Sequence, residues 1–165
     1  MLSSRRRHLA LGLLATAALA ACGFTPAYAP SGPAAALTGA IEVAAPISTE
    51  DYTLVKQLEK RLGQPQSPRY ALSYDLKVTE SGVGITPSQE TTRYHVSGAL
   101  NYSVLDLTSG QQVDSGKLQS FTGYAATGST TATLKATRDA RARLSVILAD
   151  QLVTRLIAHV GNWPK

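Results

Sequence analysis

The chain has 165 residues, with 16 basic and 11 acidic side chains and a formal net charge of +5. Its single cysteine, Cys22, excludes an intramolecular disulfide framework, so apolar burial must hold the core together. Three of the positive charges, Arg5, Arg6 and Arg7, lie near the start, and the others form no basic cluster of the kind that marks a nucleic-acid-binding face. We therefore expect one domain that does not bind nucleic acid.

Residues 1–21 have the layout of a secretory signal peptide. Three arginines precede an apolar stretch, Leu9 to Ala21, that ends in small residues. As a helix this stretch would be about 20 Å long, and a bilayer core is about 30 Å thick, so a membrane-spanning helix is the weaker alternative. Loss of residues 1–21 removes three arginines and no acid, which lowers the formal charge from +5 to +2.

The segment Leu19-Ala20-Ala21-Cys22 resembles the lipobox of bacterial lipoproteins. In that class the cysteine thiol is joined to a diacylglycerol, the chain is cut before the cysteine, and the new amine is acylated. The resemblance implies a mature protein that begins at Cys22, with covalent S-diacylglycerol and N-acyl groups and no other cofactor. An ordinary secreted protein, the other alternative, would keep an unpaired thiol in an oxidising compartment.

The N-terminal part of the expected mature chain is rich in proline. Residues 22–38 contain three prolines, which favour extended backbone, and we predict a lipid-anchored flexible tether there. Residues 39–165 are predicted to form a single α/β domain. Within it, Ala40 to Pro46 predicts a short first strand.

A first helix is predicted to begin at Ser48–Asp51, where a hydroxyl side chain can cap the helix and acidic residues face its positive end. Gly63 is expected to end this helix. Its predicted apolar face carries four residues at steps of three and four: Tyr52, Val55, Leu58 and Leu62.

Three strands are predicted next, and alternation of apolar and polar residues is their main signal. Residues 69–80 alternate strictly, 81–89 are predicted as a loop, and 91–106 alternate again around Gly98. A fourth strand is predicted over 112–123. Its apolar residues Val113, Leu118 and Phe121 do not share one parity, so either a bulge near Gly116 or a shorter strand is required.

A long helix is predicted from about Thr131 to near His159, with its main apolar stripe at Ala140, Leu144, Ile147, Leu148, Leu152 and Leu156. The predicted order is therefore β-α-β-β-β-α. This order favours an α+β two-layer sandwich: a four-stranded, mostly antiparallel mixed sheet with two helices packed on one face. The first strand is expected to run parallel to its neighbour, and the other sheet face is expected to stay polar.

Residues for catalysis or metal binding are scarce in the sequence. His95 and His159 have no cysteine, histidine or carboxylate at ligand spacing, and the phosphate-loop, G-x-S-x-G and metalloprotease motifs are missing. We therefore predict no metal site, no catalytic residue and no enzymatic activity. A tethered hydrolase remains the alternative, because catalytic triads are not local in sequence.

The segment Cys22-Gly23-Phe24-Thr25-Pro26-Ala27-Tyr28 resembles the start of mature lipopolysaccharide-assembly lipoproteins of the LptE family, which usually begin Cys-Gly-Phe-x-Pro-Leu-Tyr. Ala27 stands where leucine is usual. The order of elements also agrees, up to Arg155-Leu156 in the last helix. The resemblance implies an anchor on the periplasmic face of the outer membrane. It also implies a β-barrel partner, LptD, inside which the protein sits as a plug, and lipopolysaccharide binding.

Two further interpretations stay open at this point. An accessory lipoprotein of a periplasmic lipid-transport ABC system could carry a similar body on a similar tether. Lipopolysaccharide carries phosphates, so Arg93 and Lys117, on neighbouring predicted strands, are candidate contacts through charge-assisted hydrogen bonds. Their alternative role is that of solubility charges at a sheet edge.

Overall fold

The computed structural model describes residues 26–30, 32–85 and 91–164. The signal segment, the lipobox and Cys22 lie outside the described residues. The described elements are three helices and four strands: α1 (Pro33–Leu37), β1 (Ile41–Val43), α2 (Thr49–Leu62), β2 (Tyr70–Ile85), β3 (Thr91–Asp106), β4 (Gln112–Ala125) and α3 (Thr130–His159). A 3₁₀ turn, Val160–Asn162, follows α3.

The four strands form one sheet in the order β1-β2-β3-β4. Strand β1 runs parallel to β2, whereas β2, β3 and β4 pair antiparallel, as expected of strands that follow one another through short connections. Helix α3 packs on β3 and β4, and α2 packs on α3 and β1. The predicted mixed sheet with helices on one face is thereby confirmed.

The prediction of a tether without regular structure is wrong for residues 33–37, which form α1. Pro33 occupies the first helical position, where its missing N–H costs nothing, and Leu37 is fully buried in the core. The preceding turn also folds onto the domain. The Ala34 N–H donates to the Ala27 carbonyl at 3.0 Å, and Arg61 Nη2 donates to the Tyr28 hydroxyl at 2.9 Å.

Helix α2 begins and ends as its residues predict. The Ser48 hydroxyl accepts a hydrogen bond from the Asp51 N–H at 3.0 Å. Gly63 ends the helix with a φ of 79°, a left-handed value that other residues rarely adopt. The predicted apolar face is wrong at Tyr52, which is exposed; Asp51 and Leu54 are buried instead, together with the predicted Val55, Leu58 and Leu62.

Alternation in β2 and β3 is confirmed as a division between two faces. The apolar set from Tyr70 to Val78 faces the helices, and the even-numbered residues of β3 from Val96 to Val104 are buried there. The predicted loop 81–89 is too long, because β2 continues to Ile85. Register shifts next to Gly84 allow the pairing to continue to Thr91, the first residue of β3.

The structure of β4 explains why its apolar residues do not all occupy odd-numbered or all even-numbered positions. The register with β3 shifts between the pairs Val104–Asp114 and Leu105–Gln112, which places a bulge at Val113 and not near Gly116. After the bulge the even-numbered residues, including Leu118, face the helices. Phe121 therefore points to the opposite face, where its side chain is 67% exposed.

Helix α3 supplies more of the core than any other element. Its buried residues are Ala140, Leu144, Ser145, Leu148, Ala149, Leu152, Val153, Leu156 and Ile157. Ile147, predicted in this stripe, is partly exposed instead. By length and composition alone α3 could cross a membrane, but its apolar residues are packed against the sheet and α2, which accounts for its hydropathy. Trp163 then packs edge-on against Tyr70, with ring centroids 4.9 Å apart.

The turn between β3 and β4 is held by Asp106, whose side chain is buried. Its Oδ1 accepts hydrogen bonds from the Thr108 and Ser109 N–H groups at 2.8 and 3.1 Å, and its Oδ2 lies 3.1 Å from Arg69 Nη2. Burial by itself would raise the pKa of this carboxyl. The donors at Ser109 and Thr108, together with the Arg69 guanidinium, outweigh burial and hold the pKa below its ordinary value.

Replacing Asp106 by asparagine is expected to lower the free energy of unfolding at neutral pH. The free energy of unfolding of the variant should also fall less as the pH is lowered. The folded-state pKa lies below the unfolded value of about 4, so this stabilisation is present above that value and is lost as the pH falls through the folded-state pKa. Urea denaturation of both proteins over a series of acidic pH values measures the effect. Equal stability at neutral pH and the same acid dependence in both would contradict it.

Candidate interaction surface

The sheet has one covered face and one uncovered face. The helices cover the even-numbered positions of β2, β3 and most of β4, and among the described residues nothing covers the odd-numbered positions. We call this second surface the open face. Many of its side chains are small: Ala71, Ser73, Ser97, Ala99, Ser103, Ser115, Gly123 and Ala125. The expectation of a largely polar second face is therefore met, although the face also carries the exposed apolar side chains of Phe121, Leu105 and Val83.

Phe121 stands beside a hollow of about 700 Å³ in the middle of the open face. Ser97 and Ala99 line the hollow on β3, and Lys77 borders it on β2. The rings of Phe121 and His95 are tilted by 37°, with centroids 5.6 Å apart. The hollow exists because small residues of β3 lie between longer side chains of the two flanking strands.

The charges on the open face include three cations. Lys77 lies 3.6 Å from Asp75, which also accepts a hydrogen bond from Asn101 at 3.4 Å. Arg93 and Lys117 have no carboxylate within ion-pair distance in the part of the chain that the structure describes. The other acid on this face, Glu42, lies on the edge strand β1 opposite Ala71. The three long strands, β2, β3 and β4, are therefore net positive on their open side.

Arg93 and Lys117 share the open face but do not form one site. Arg93 pairs with Ala125 and Lys117 with Asn101, so eight strand positions, or about 27 Å, separate them. Arg93 lines a second, smaller hollow of about 330 Å³ with Val83 and Gly123 near the β2–β3 hairpin. Sequence analysis named both residues as candidates because they lie on neighbouring predicted strands. The sequence does not give the register of these strands, and the register sets the distance between the two residues.

Polar contacts on the covered side tie the helix ends to the sheet. His159 Nδ1 lies 3.0 Å from Asp114 Oδ2, and the Tyr102 hydroxyl donates to Asp114 Oδ1 at 3.5 Å. At the other end, Arg141 makes ion pairs with Glu50 at 3.1 Å and with Glu80 at 3.4 Å, which joins α3 to α2 and β2. These contacts join neighbouring elements of the fold.

The described residues do not form a cluster of titratable side chains of the kind used in acid–base catalysis. No group of three or more histidine, cysteine or acidic side chains is placed to hold a metal ion in residues 26–30, 32–85 and 91–164. Burial, with a smaller contribution from Asp51, raises the pKa of Tyr74 to about 12, which moves it away from neutral pH. The absence of catalysis stays a prediction.

Comparison with solved structures finds similar folds. No protein-family model matches the chain, and no curated protein matches its sequence. A proposed lipoprotein from Caulobacter crescentus is 20% identical with a TM-score of 0.66, covering 81% of this chain and 98% of that one. Rare lipoprotein B from Shewanella oneidensis is 10% identical with a TM-score of 0.57, over 74% and 96%. A minor lipoprotein from Acinetobacter baumannii is 13% identical with a TM-score of 0.55, over 76% and 92%. At these identities the likeness is one of fold, and the chain is a two-layer α+β protein similar in fold to these three.

Proposed function

We propose that this chain is an LptE-like lipoprotein, anchored through acylated Cys22 on the periplasmic face of the outer membrane. In this role it forms a complex with a β-barrel of the LptD type, sits inside the barrel as a plug, and assists lipopolysaccharide assembly without catalysis. One observation carries the proposal: a lipobox and a Cys-Gly-Phe-x-Pro opening precede a domain whose fold resembles that of rare lipoprotein B.

The described part of the opening gives a physical reason for its residue types. Ala27, at the position where leucine is usual, packs against the core, and Tyr28 accepts a hydrogen bond from Arg61 on α2. An apolar residue followed by tyrosine therefore fits the place where the chain joins the domain. The polar open face also suits a plug, because the lumen of a wide outer-membrane barrel is lined by polar side chains.

Affinity purification of the full chain, tagged at its C-terminus, from detergent-solubilised total membranes tests the proposal. We expect a large β-barrel protein to be recovered with it, identified by mass spectrometry, and lipopolysaccharide in the same fraction. An unrelated outer-membrane lipoprotein with the same tag is the control. Recovery of an inner-membrane ABC transporter instead would support the lipid-transport alternative, and recovery of neither partner would contradict the proposal.

A further inference from the structure

The helical side and the open face of the domain differ in the side chains that they expose to a partner. Exposed apolar side chains on the helical side, such as Leu134 and Ile147, project from a layer already packed on the sheet. The open face carries many short side chains, three cations and the exposed ring of Phe121. From this difference we infer that the open face, centred on Phe121, is the surface that packs against the inner wall of the partner barrel, at a part of the wall that carries carboxylates. The identity of this partner rests on the proposed function.

Shape is the first support for this occupant. Short side chains across β2, β3 and β4 let another sheet approach closely, and two packed sheets lie about 10 Å apart. A barrel wall is such a sheet, and its inward side chains alternate with outward ones along each strand. The open face is therefore suited to a broad, sheet-like surface.

Area is the second support. The three long strands have 14 to 16 residues each. At about 3.3 Å per residue and about 4.8 Å between strands, their open side measures roughly 730 Å². A stable protein interface buries about 800 Å² on each partner, so the open face supplies most of one standard interface.

Charge and the central ring define the chemistry of the partner. Lys77, Arg93 and Lys117 make the three long strands net positive, because Asp75 is the one acid among their open-face residues in the described chain. An opposing wall with carboxylates would complement them. Phe121, 67% exposed and beside His95, lies midway along the edge strand β4 next to the hollow, where an exposed ring with polar residues around it can act as an anchor residue.

An anionic amphiphile in the hollow is the competing occupant. The hollow is open and shallow, and a small-molecule site normally encloses most of its ligand. Lys77 borders the hollow, whereas Arg93 and Lys117 are spread along the sheet about 27 Å apart. Cations distributed over this length fit an extended protein surface better than one headgroup.

The test compares two matched pairs of substitutions in the full tagged chain. The open-face variant combines Phe121→Ala with Lys117→Glu. Its control combines Leu134→Ala with Lys135→Glu on the helical side, where the leucine is also exposed. Recovery of the barrel from solubilised outer membranes, normalised to the barrel present, is expected to fall about tenfold for the open-face variant and less than twofold for the control.

Thermal unfolding of the purified variants shows whether they fold, and neither pair removes a buried side chain. If the open-face variant unfolds like wild type and recovers the barrel within twofold of it, or if the control loses as much barrel, the inference is overturned. The inference is also overturned if that variant keeps the barrel but loses binding to vesicles that contain lipopolysaccharide. If the wild-type chain recovers no barrel, the proposed function itself fails.

Discussion

Leu148→Ala is expected to lower the free energy of unfolding by about 2–5 kcal/mol. Leu148 is fully buried in the middle of α3, where it packs over β3. Truncation removes apolar surface and leaves a cavity between rigid elements, which can close only in part. Urea denaturation measures the change on residues 22–165, produced directly without residues 1–21 and with Cys22→Ser in every variant so that no lipid is attached. As a matched control, Leu134→Ala truncates an exposed leucine of the same helix and should cost far less.

Gly98, which lies against Leu148, allows a second prediction about the same part of the core. A Cβ at this position would lie 2.9 Å from Leu148 Cδ1 and 3.0 Å from Leu144 Cδ2, so Gly98→Ala alone forces both leucines to shift. In the double variant Gly98→Ala with Leu148→Ala, the new methyl group enters the space that the leucine has left. We therefore expect the two costs to be non-additive, with the double variant more stable than their sum predicts. Strict additivity would show that Gly98 and Leu148 do not share this space.

The sequence determined most of the fold because burial follows simple periods. Strict alternation in β2 and β3 identified their buried faces, and Ser48 and Gly63 marked the ends of α2. Helix α1 was missed because its five residues lie among prolines, and its burial depends on contacts with α3 and the 3₁₀ turn that follows it. A helix this short has almost no local signal of its own.

The candidate surface was less accessible to sequence reasoning. Phe121 gave a signal, because its parity differed from that of Leu118, but the same mismatch could equally mean a bulge or a shorter strand. The hollow beside it depends on which residues of β2 and β4 flank Ser97 and Ala99, and register sets these neighbours. Register also separates Arg93 from Lys117. Sequence reasoning therefore suggested the open face but not its centre.

Cys22→Ser is expected to abolish attachment of fatty acid to the protein. If Cys22 carries the lipid, cells fed a labelled fatty acid should label the wild-type chain, and mass spectrometry should find a mature N-terminus at residue 22 with diacylglycerol and acyl groups. Because acylation at the thiol precedes cleavage in bacterial lipoproteins, the serine variant should remain uncut and unlabelled. Thr25→Ala, next to the lipobox but outside it, is the control and should keep the label.

Retention of the wild-type protein in the membrane is expected from the short segment after Cys22 and from the energetics of acyl-chain insertion. Each buried methylene contributes about 0.8 kcal/mol, and anchoring becomes stable when two or more acyl chains insert. Four residue steps separate Cys22 from Pro26, so the domain would stay within about 14 Å of the lipid attachment point. Wild-type protein should therefore remain in the membrane fraction after a high-salt wash. A free thiol at Cys22 in the mature protein, or wild-type protein released by salt, would contradict the anchor.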